Sequence, residues 1–304
     1  MSSQKTLIVI TGATASGKTS LAIEVARRLG CAVISADSRQ LFREIPIGTA
    51  APSVEEMAGV PHYFVGTLSL DDYYSAAMFE TDVMQLLPRL WQTNDYVVMA
   101  GGSMMYIDAV VNGIDDIPTV SEENRRRAMQ LYEEKGLQGL RLELLELDPV
   151  YYRQVDLNNH RRLVHAIEII YQSGQPYSSL RSGERKQRPF RILKFALDLP
   201  REELFDRINR RVDQMIASGL EQEVTAVAHK RHLNSLNTVG YKELFAMMDG
   251  TMTREEAILR IGKNTRVYAK KQLTWLRRDP SVIWIPPTTE GLDLLMKHLP
   301  GSKD

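Results

Sequence analysis

Short apolar runs and helical stripes alternate over the first hundred residues. Leu7-Ile8-Val9-Ile10, Ala32-Val33-Ile34-Ser35 and Tyr96-Val97-Val98-Met99-Ala100 carry no polar face and lead into Gly, Asp or Ser, the pattern of parallel strands covered on both sides. Between the first two, Leu21, Val25 and Leu29 recur at helical spacing from Lys18 to Leu29, and Gly30 supplies the stop. A strand, a helix and a strand in that order predict a βαβ unit, hence an α/β fold with a parallel sheet core flanked by helices.

After Gly101 the pattern is helical only. Ser121 to Lys135 and Leu137 to Leu147 carry helical spacing, Thr119-Val120-Ser121-Glu122 reads as a capping box, and Asn159 to Tyr171 places Leu163, Ile167 and Ile170 on one side. A strand pattern returns only at Ile192 to Leu197. A crossover between neighbouring strands needs far fewer than these roughly 90 residues, so an all-helical subdomain inserted at 114–190 is expected within a core formed by 1–113 and 191–304. The basic, glycine-containing segment Arg181 to Arg188 is its expected return linker. More helices follow, then a last strand at Val282 to Ile285, closed by Pro286-Pro287. There is no internal repeat.

With 43% hydrophobic, 25% charged and 7% aromatic residues over 304 positions, the composition excludes a disordered or collagen-like chain. No apolar run is long enough to span a membrane. Leu7 to Ile10 is too short for a signal-peptide core, so a cytoplasmic protein is expected. The single cysteine, Cys31, excludes an internal disulfide and a cysteine-based metal site. Lys plus Arg and Asp plus Glu balance at 38 each, which argues against a uniformly basic nucleic-acid binder. The charge is nevertheless segregated: Ile258 to Arg278 holds seven basic residues and no acidic one, and Arg181 to Lys194 holds six against Glu184. Such clusters can hold a polyanion.

Gly12-Ala13-Thr14-Ala15-Ser16-Gly17-Lys18-Thr19 has the spacing of a phosphate-binding P-loop and stands after a buried strand and before a helix, where such a loop works. Its backbone amides and the helix N-terminus form an anion site, Lys18 brings a point charge, and the Thr19 hydroxyl can ligate Mg²⁺. The expected core is therefore P-loop NTPase-like. The motif does not say which phosphate ester it holds; ATP is the commonest.

The second strand leads to Asp37-Ser38-Arg39-Gln40. Strand C-termini line the ligand crevice of a parallel sheet, which places Asp37 near the anion. A carboxylate there binds Mg²⁺, accepts a proton from an acceptor substrate, or caps the following helix. Tyr96 to Ala100 ends in Gly101-Gly102-Ser103, where an ATPase or GTPase usually presents a carboxylate. That weakens a motor or switch reading and permits either close ligand approach or a tight turn. Arg207 and Arg211 share a helix face and either meet a leaving diphosphate or are solvated.

On a helix through residues 258–278, Arg260, Lys263, Arg266, Lys270, Lys271, Arg277 and Arg278 fall within an arc of about 140°. Ile258, Ile261, Tyr268, Trp275 and Leu276 are expected on the opposite, packing side. A face of one sign favours a phosphate backbone as partner, and Arg125-Arg126-Arg127 and Arg161-Arg162 would extend it. His62, His160 and His165 lack the spacing of a zinc site.

In this order the motifs resemble the bacterial tRNA dimethylallyltransferase family, also called tRNA isopentenyltransferase, over about Leu7 to Arg278. Further shared segments are Pro61-His62, Tyr74-Ser75-Ala76-Ala77 with Phe79 and Asp82, Met104-Met105-Tyr106, Asn158 through Arg162 before Ala166-Ile167-Glu168, Arg207-Ile208 with Arg211 and Met215, Val239-Gly240-Tyr241, and Lys270 through Arg277. The resemblance implies that Gly12, Ala13, Thr14, Ala15, Ser16, Gly17, Lys18 and Thr19 hold the diphosphate of dimethylallyl diphosphate, not ATP. It implies prenyl transfer to the exocyclic N6 of an adenosine beside the tRNA anticodon, with diphosphate released. Asp37 would be the general base, and Lys18, Thr19 with Mg²⁺, and Arg207 would stabilise the leaving group. Contacts to tRNA would come from Asp37, Ser38, Arg39, Gln40, Ser103, Arg125, Asn158, Asn159, His160, Arg161, Arg162, Gly240, Tyr241, Lys270, Lys271, Gln272, Trp275 and Arg277. The chain departs from the family pattern at Ala13 (proline), Phe42 (tyrosine), Ser103 (threonine) and His165 (arginine), and has no Cys/His extension of the eukaryotic kind. A monomer without membrane attachment is expected, with the inserted subdomain closing over the anticodon stem. The rival readings are an ATP-dependent small-molecule kinase, prenylation of free AMP, and a non-catalytic RNA-binding module.

Overall fold

The computed structural model describes residues 4–181 and 183–300. It divides into two compact units, Met1–Asn112 with Gln187–Asp304, and Gly113–Lys186. In the first unit β1 (Thr6–Gly12), β2 (Val33–Ser35), β3 (His62–Tyr63), β4 (Tyr96–Ala100), β5 (Arg191–Leu197) and β6 (Val282–Ile285) form one parallel sheet in the order β3-β2-β4-β1-β5-β6. The hydrophobic pattern predicts five of these strands and misses β3. That strand is two residues long, paired to Val33 and Ile34, and too short to carry a period.

β1 is buried along its whole length because both faces of the sheet are covered. The pleat sends Ile8 and Ile10 against Ala22, Val25 and Ala26 of the Lys18–Leu29 helix and Leu292 and Leu295 of Thr289–Lys297. Leu7 and Val9 meet Phe79, Val83 and Leu87 of Ala76–Leu90 and Ile107 and Val110 of Met104–Asn112. A third cluster holds Val212, Leu220, Val224, Tyr241, Leu244 and Ile261, and so fastens the helices Arg201–Ala217, Leu220–Ala226, Tyr241–Met248 and Arg254–Leu276 together. The chain fills the sheet on one side of β1 and then crosses to the other. The C-terminal ends of β1, β2 and β4 therefore open on one crevice.

Two cations of the basic stretch Arg181 to Lys194 are not at the surface. Arg188 pairs with Glu80 at 2.6 Å, both side chains 8% exposed, and donates to the carbonyls of Ala109 and Val110. Lys194, carried inward on β5, pairs with Asp279. The polyanion-binding cluster expected there is reduced accordingly.

The Gly113–Lys186 unit is helical around its own core of Ala128, Leu140, Leu144, Leu163, Ala166, Ile167 and Ile170. Its first helical span, Glu122–Leu147, breaks at Gly136 (φ 60°, ψ −160°), the glycine that separates the two helical stretches in the sequence pattern. The cap differs from expectation: Ser121, not Thr119, accepts the N–H of Asn124 and starts the helix. The His160–Ser173 helix is capped by Asn159 and buries a wider face than predicted, including Val164 and Ile169.

Gly101, just after β4, lies against the segment after β2, and a Cβ there would collide with the Ala36 carbonyl. Gly101→Ala is expected to destabilise the fold by about 2–3 kcal/mol through this overpacking, read as an earlier urea unfolding transition.

Candidate active site

The loop after β1 is shaped by backbone geometry. Gly12 (φ 144°) and Gly17 (φ 100°) occupy conformations that favour glycine, Ala15 (φ 63°) occupies the left-handed region without being one, and Ser16 N–H donates to the Ala13 carbonyl at 3.2 Å. Gly17 starts the Lys18–Leu29 helix with no side-chain cap. The first-turn amides are therefore left for an external anion.

Beside the loop is a cleft lined among others by Thr14, Lys18, Thr19, Asp37, Arg211 and Tyr268. Lys18 Nζ donates to the Ala13 carbonyl at 2.6 Å. Loss of water, and then the Arg211 guanidinium, push its pKa down to about 7, against the pull of Asp37. Burial also lowers Arg211, with Asp37 and Glu56 opposing. Arg207, one turn earlier on the Arg201–Ala217 helix, points Nη1 at the Ser16 carbonyl (3.5 Å) and pairs with Glu203 at 2.7 Å. Both arginines thus border the loop, Arg211 inside the cleft and Arg207 at its outer side.

Asp37 Oδ1 accepts the N–H of Arg39 at 2.9 Å and of Gln40 at 3.4 Å, an Asx turn. Oδ2 makes no hydrogen bond among the described residues. One oxygen shapes the turn, and the residue lines the cleft. Ser103 Oγ accepts from Ser38 N–H at 2.8 Å and donates to Ser38 Oγ at 3.1 Å, which ties the turn after β4 to the turn after β2. Burial lowers Arg39, and Asp37 offsets it. Gln40 is engaged internally: its amide donates to the Thr49 and Ala50 carbonyls and accepts from Ser35.

Three residues expected at an RNA surface, Gln272, Tyr241 and Gly240, are placed inside. Gln272, 1% exposed, bonds to Thr14 and Gly102. Tyr241, fully buried, donates to Glu223, whose carboxylate also receives the N–H groups of Ile47 and Gly48. Gly240 (φ 98°) provides the turn before it. Lys270, Lys271 and Arg277 are exposed as expected. Arg266 instead bonds to Asn209, and it stands with Arg201 and Lys270 around the Phe205 ring. Tyr268 and Trp275, expected on the packing side, are partly exposed. Tyr268 reaches the cleft, where burial and Asp37 push its pKa up to about 12. The signal for Tyr268 is its position one helical turn before Gln272.

In the inserted unit Arg161 and Arg162 are exposed in the first turn of His160–Ser173. Asn158 accepts from Arg141, Asn159 is the cap, and His160 stacks on Tyr132 with 5.0 Å between centroids. Arg125 lies half-buried in the first turn of the preceding span.

Residues 40–279 match the model of the family described as IPP transferase. The chain belongs to the IPP transferase family. Among relatives in this family, tRNA dimethylallyltransferase 1 of Bacteroides thetaiotaomicron is 53% identical over 97% of this chain and 98% of its own. tRNA dimethylallyltransferase 2 of Parabacteroides distasonis is 55% identical over 96% and 97%. The crystal structure of the tRNA isopentenylpyrophosphate transferase of Bacillus halodurans is similar at TM-score 0.68 and 34% identity, over 97% of this chain and 94% of that one. A eukaryotic dimethylallyltransferase captured acting on tRNA is similar at TM-score 0.80 and 26% identity, over 93% and 74%. The two solved structures share this chain's fold.

An anion seated against Lys18 favours its charged form, so above pH 7 binding must take up a proton. Affinity for inorganic sulfate, which does not titrate there, is expected to fall by up to about tenfold per pH unit above 7, with proton uptake visible by calorimetry in buffers of different ionisation enthalpy. The Lys18→Arg variant, charged throughout, should lose this dependence.

Proposed function

We propose that this chain transfers the dimethylallyl group of dimethylallyl diphosphate to N6 of an adenosine adjacent to the anticodon in tRNA, releasing diphosphate. The observation that carries the reading is the convergence of an uncapped phosphate loop, Lys18, Arg211 and the Asp37 carboxylate on one cleft.

The roles follow from charge. As the bond between C1 of the donor and its bridging oxygen breaks, the electron pair goes to the diphosphate. The loop amides, Lys18 and Arg211, with Arg207 at the outer side, stabilise that developing charge. The adenine amine is too weak an acid to ionise first. Its lone pair forms the new C–N bond, and its proton passes to Asp37 as that bond forms. The adenine must leave its stack to reach the cleft. Lys270, Lys271 and Arg277, and Arg161 and Arg162 in the inserted unit, are the exposed cations offered to the phosphate backbone. Thr19 lines the same cleft and presents a hydroxyl oxygen, a single donor that suits Mg²⁺ completed by water and substrate phosphate. Bound there, the ion would neutralise diphosphate charge. Among the described residues no helix is long and apolar enough to cross a membrane; a tRNA substrate supports a cytoplasmic location as part of this reading.

The test incubates the protein with Mg²⁺, dimethylallyl diphosphate and tRNA lacking the modification, then weighs the digested nucleosides by mass spectrometry. Prenylated adenosine is expected, dependent on that donor. Asp37→Asn, which keeps the Oδ1 acceptor of the turn, and Asp37→Ala should both lower turnover at least about a hundredfold. Unmodified tRNA, with ATP consumed in the presence of a small acceptor, would favour a kinase instead.

A further inference from the structure

We propose that Gln272 is a positioning residue for this reaction, holding the phosphate loop in its anion-binding shape. The inference deepens the function proposed above and rests on it.

Gln272 lies on the inner side of the Arg254–Leu276 helix. Its Oε1 accepts the Thr14 N–H at 2.8 Å, and its Nε2 donates to the Gly102 carbonyl at 2.8 Å. Tyr268, one turn earlier, donates to the same carbonyl at 3.4 Å. One side chain thereby joins the loop after β1, the turn after β4 and the helix that exposes Lys270 and Lys271. The chemistry requires an amide: Thr14 presents a donor and Gly102 an acceptor, and a buried carboxylate or apolar side chain cannot answer both. Gly102 is matched to it, since a Cβ there would collide with Nε2.

The loop needs such a tie because Ala15 is held at φ 63°. A left-handed alanine persists only where its surroundings over-determine it. Gln272 fixes Thr14 on one side, and the bond from Ser16 N–H to the Ala13 carbonyl closes the other. Without the amide, Ala15 relaxes toward the right-handed region and the amides that face the anion no longer converge. Ordering them again then falls to the ligand, which weakens its binding.

The test compares the full chain with Gln272→Met, which keeps the reach of the side chain but neither hydrogen bond. Affinity for inorganic diphosphate with Mg²⁺, by calorimetry, is expected to fall about tenfold or more, and the KM for dimethylallyl diphosphate to rise in step. Affinity and KM for tRNA should be unchanged. Gly102→Ala, which attacks the same bond from its other end, should give the same split. Unchanged diphosphate affinity in the folded variants overturns the inference, as does a loss confined to tRNA affinity, which would make Gln272 an RNA contact. Wild-type protein that binds no diphosphate and transfers no prenyl group removes the proposed function and this inference together. An active wild type with unaltered variants removes the inference alone.

Discussion

Positive charge gathered where water cannot fully solvate it is the constraint on which the site depends. Lys18, half-buried, lines the same cleft as Arg211. Burial and the Arg211 guanidinium disfavour the charged form of Lys18. Lys18 rests its nitrogen on the Ala13 carbonyl, and Asp37 supplies the nearby negative charge. A bound anion favours the charged form of Lys18 and so offsets the cost of its burial.

Holding these charges together takes a rigid frame. β1, covered on both faces, aims the loop, and β2 and β4 bring Asp37 and Gly102 to the same edge. Polar ties then lock the loops to one another. Ser103 joins the turns after β2 and β4, and Gln272 joins the phosphate loop to Gly102. Glu223, with Tyr241, gathers the amides of Ile47 and Gly48 and so fixes the segment that carries Thr49 and Pro52 to the cleft wall. Each tie satisfies groups that would be costly to bury unpaired.

The strands, the phosphate loop and Asp37 are legible in the sequence because period, glycine spacing and strand ends obey local rules. β3 is not, because two residues pair only by grace of Val33 and Ile34. Gln272 and Tyr241 look like part of a basic or exposed motif, yet their hydrogen bonds reach partners on other elements that no periodicity announces. Arg188 and Lys194 mislead similarly: a run of cations reads as surface until Glu80 and Asp279 are seen to claim two of them. Tyr268 falls on the apolar arc of a helical wheel, but the wheel does not know that the cleft opens beside it.

Arg188 also bears on the history of the chain. Its guanidinium bonds to the carbonyls of Ala109 and Val110, so the point where the chain leaves the sheet core and the point where it returns are fastened together inside that core. The helical unit from Gly113 to Lys186 hangs from a root that is already closed. Lengthening or shortening it changes the loop-closure entropy only logarithmically. An ancestral sheet domain could thus have acquired, exchanged or enlarged this module without relearning how to fold.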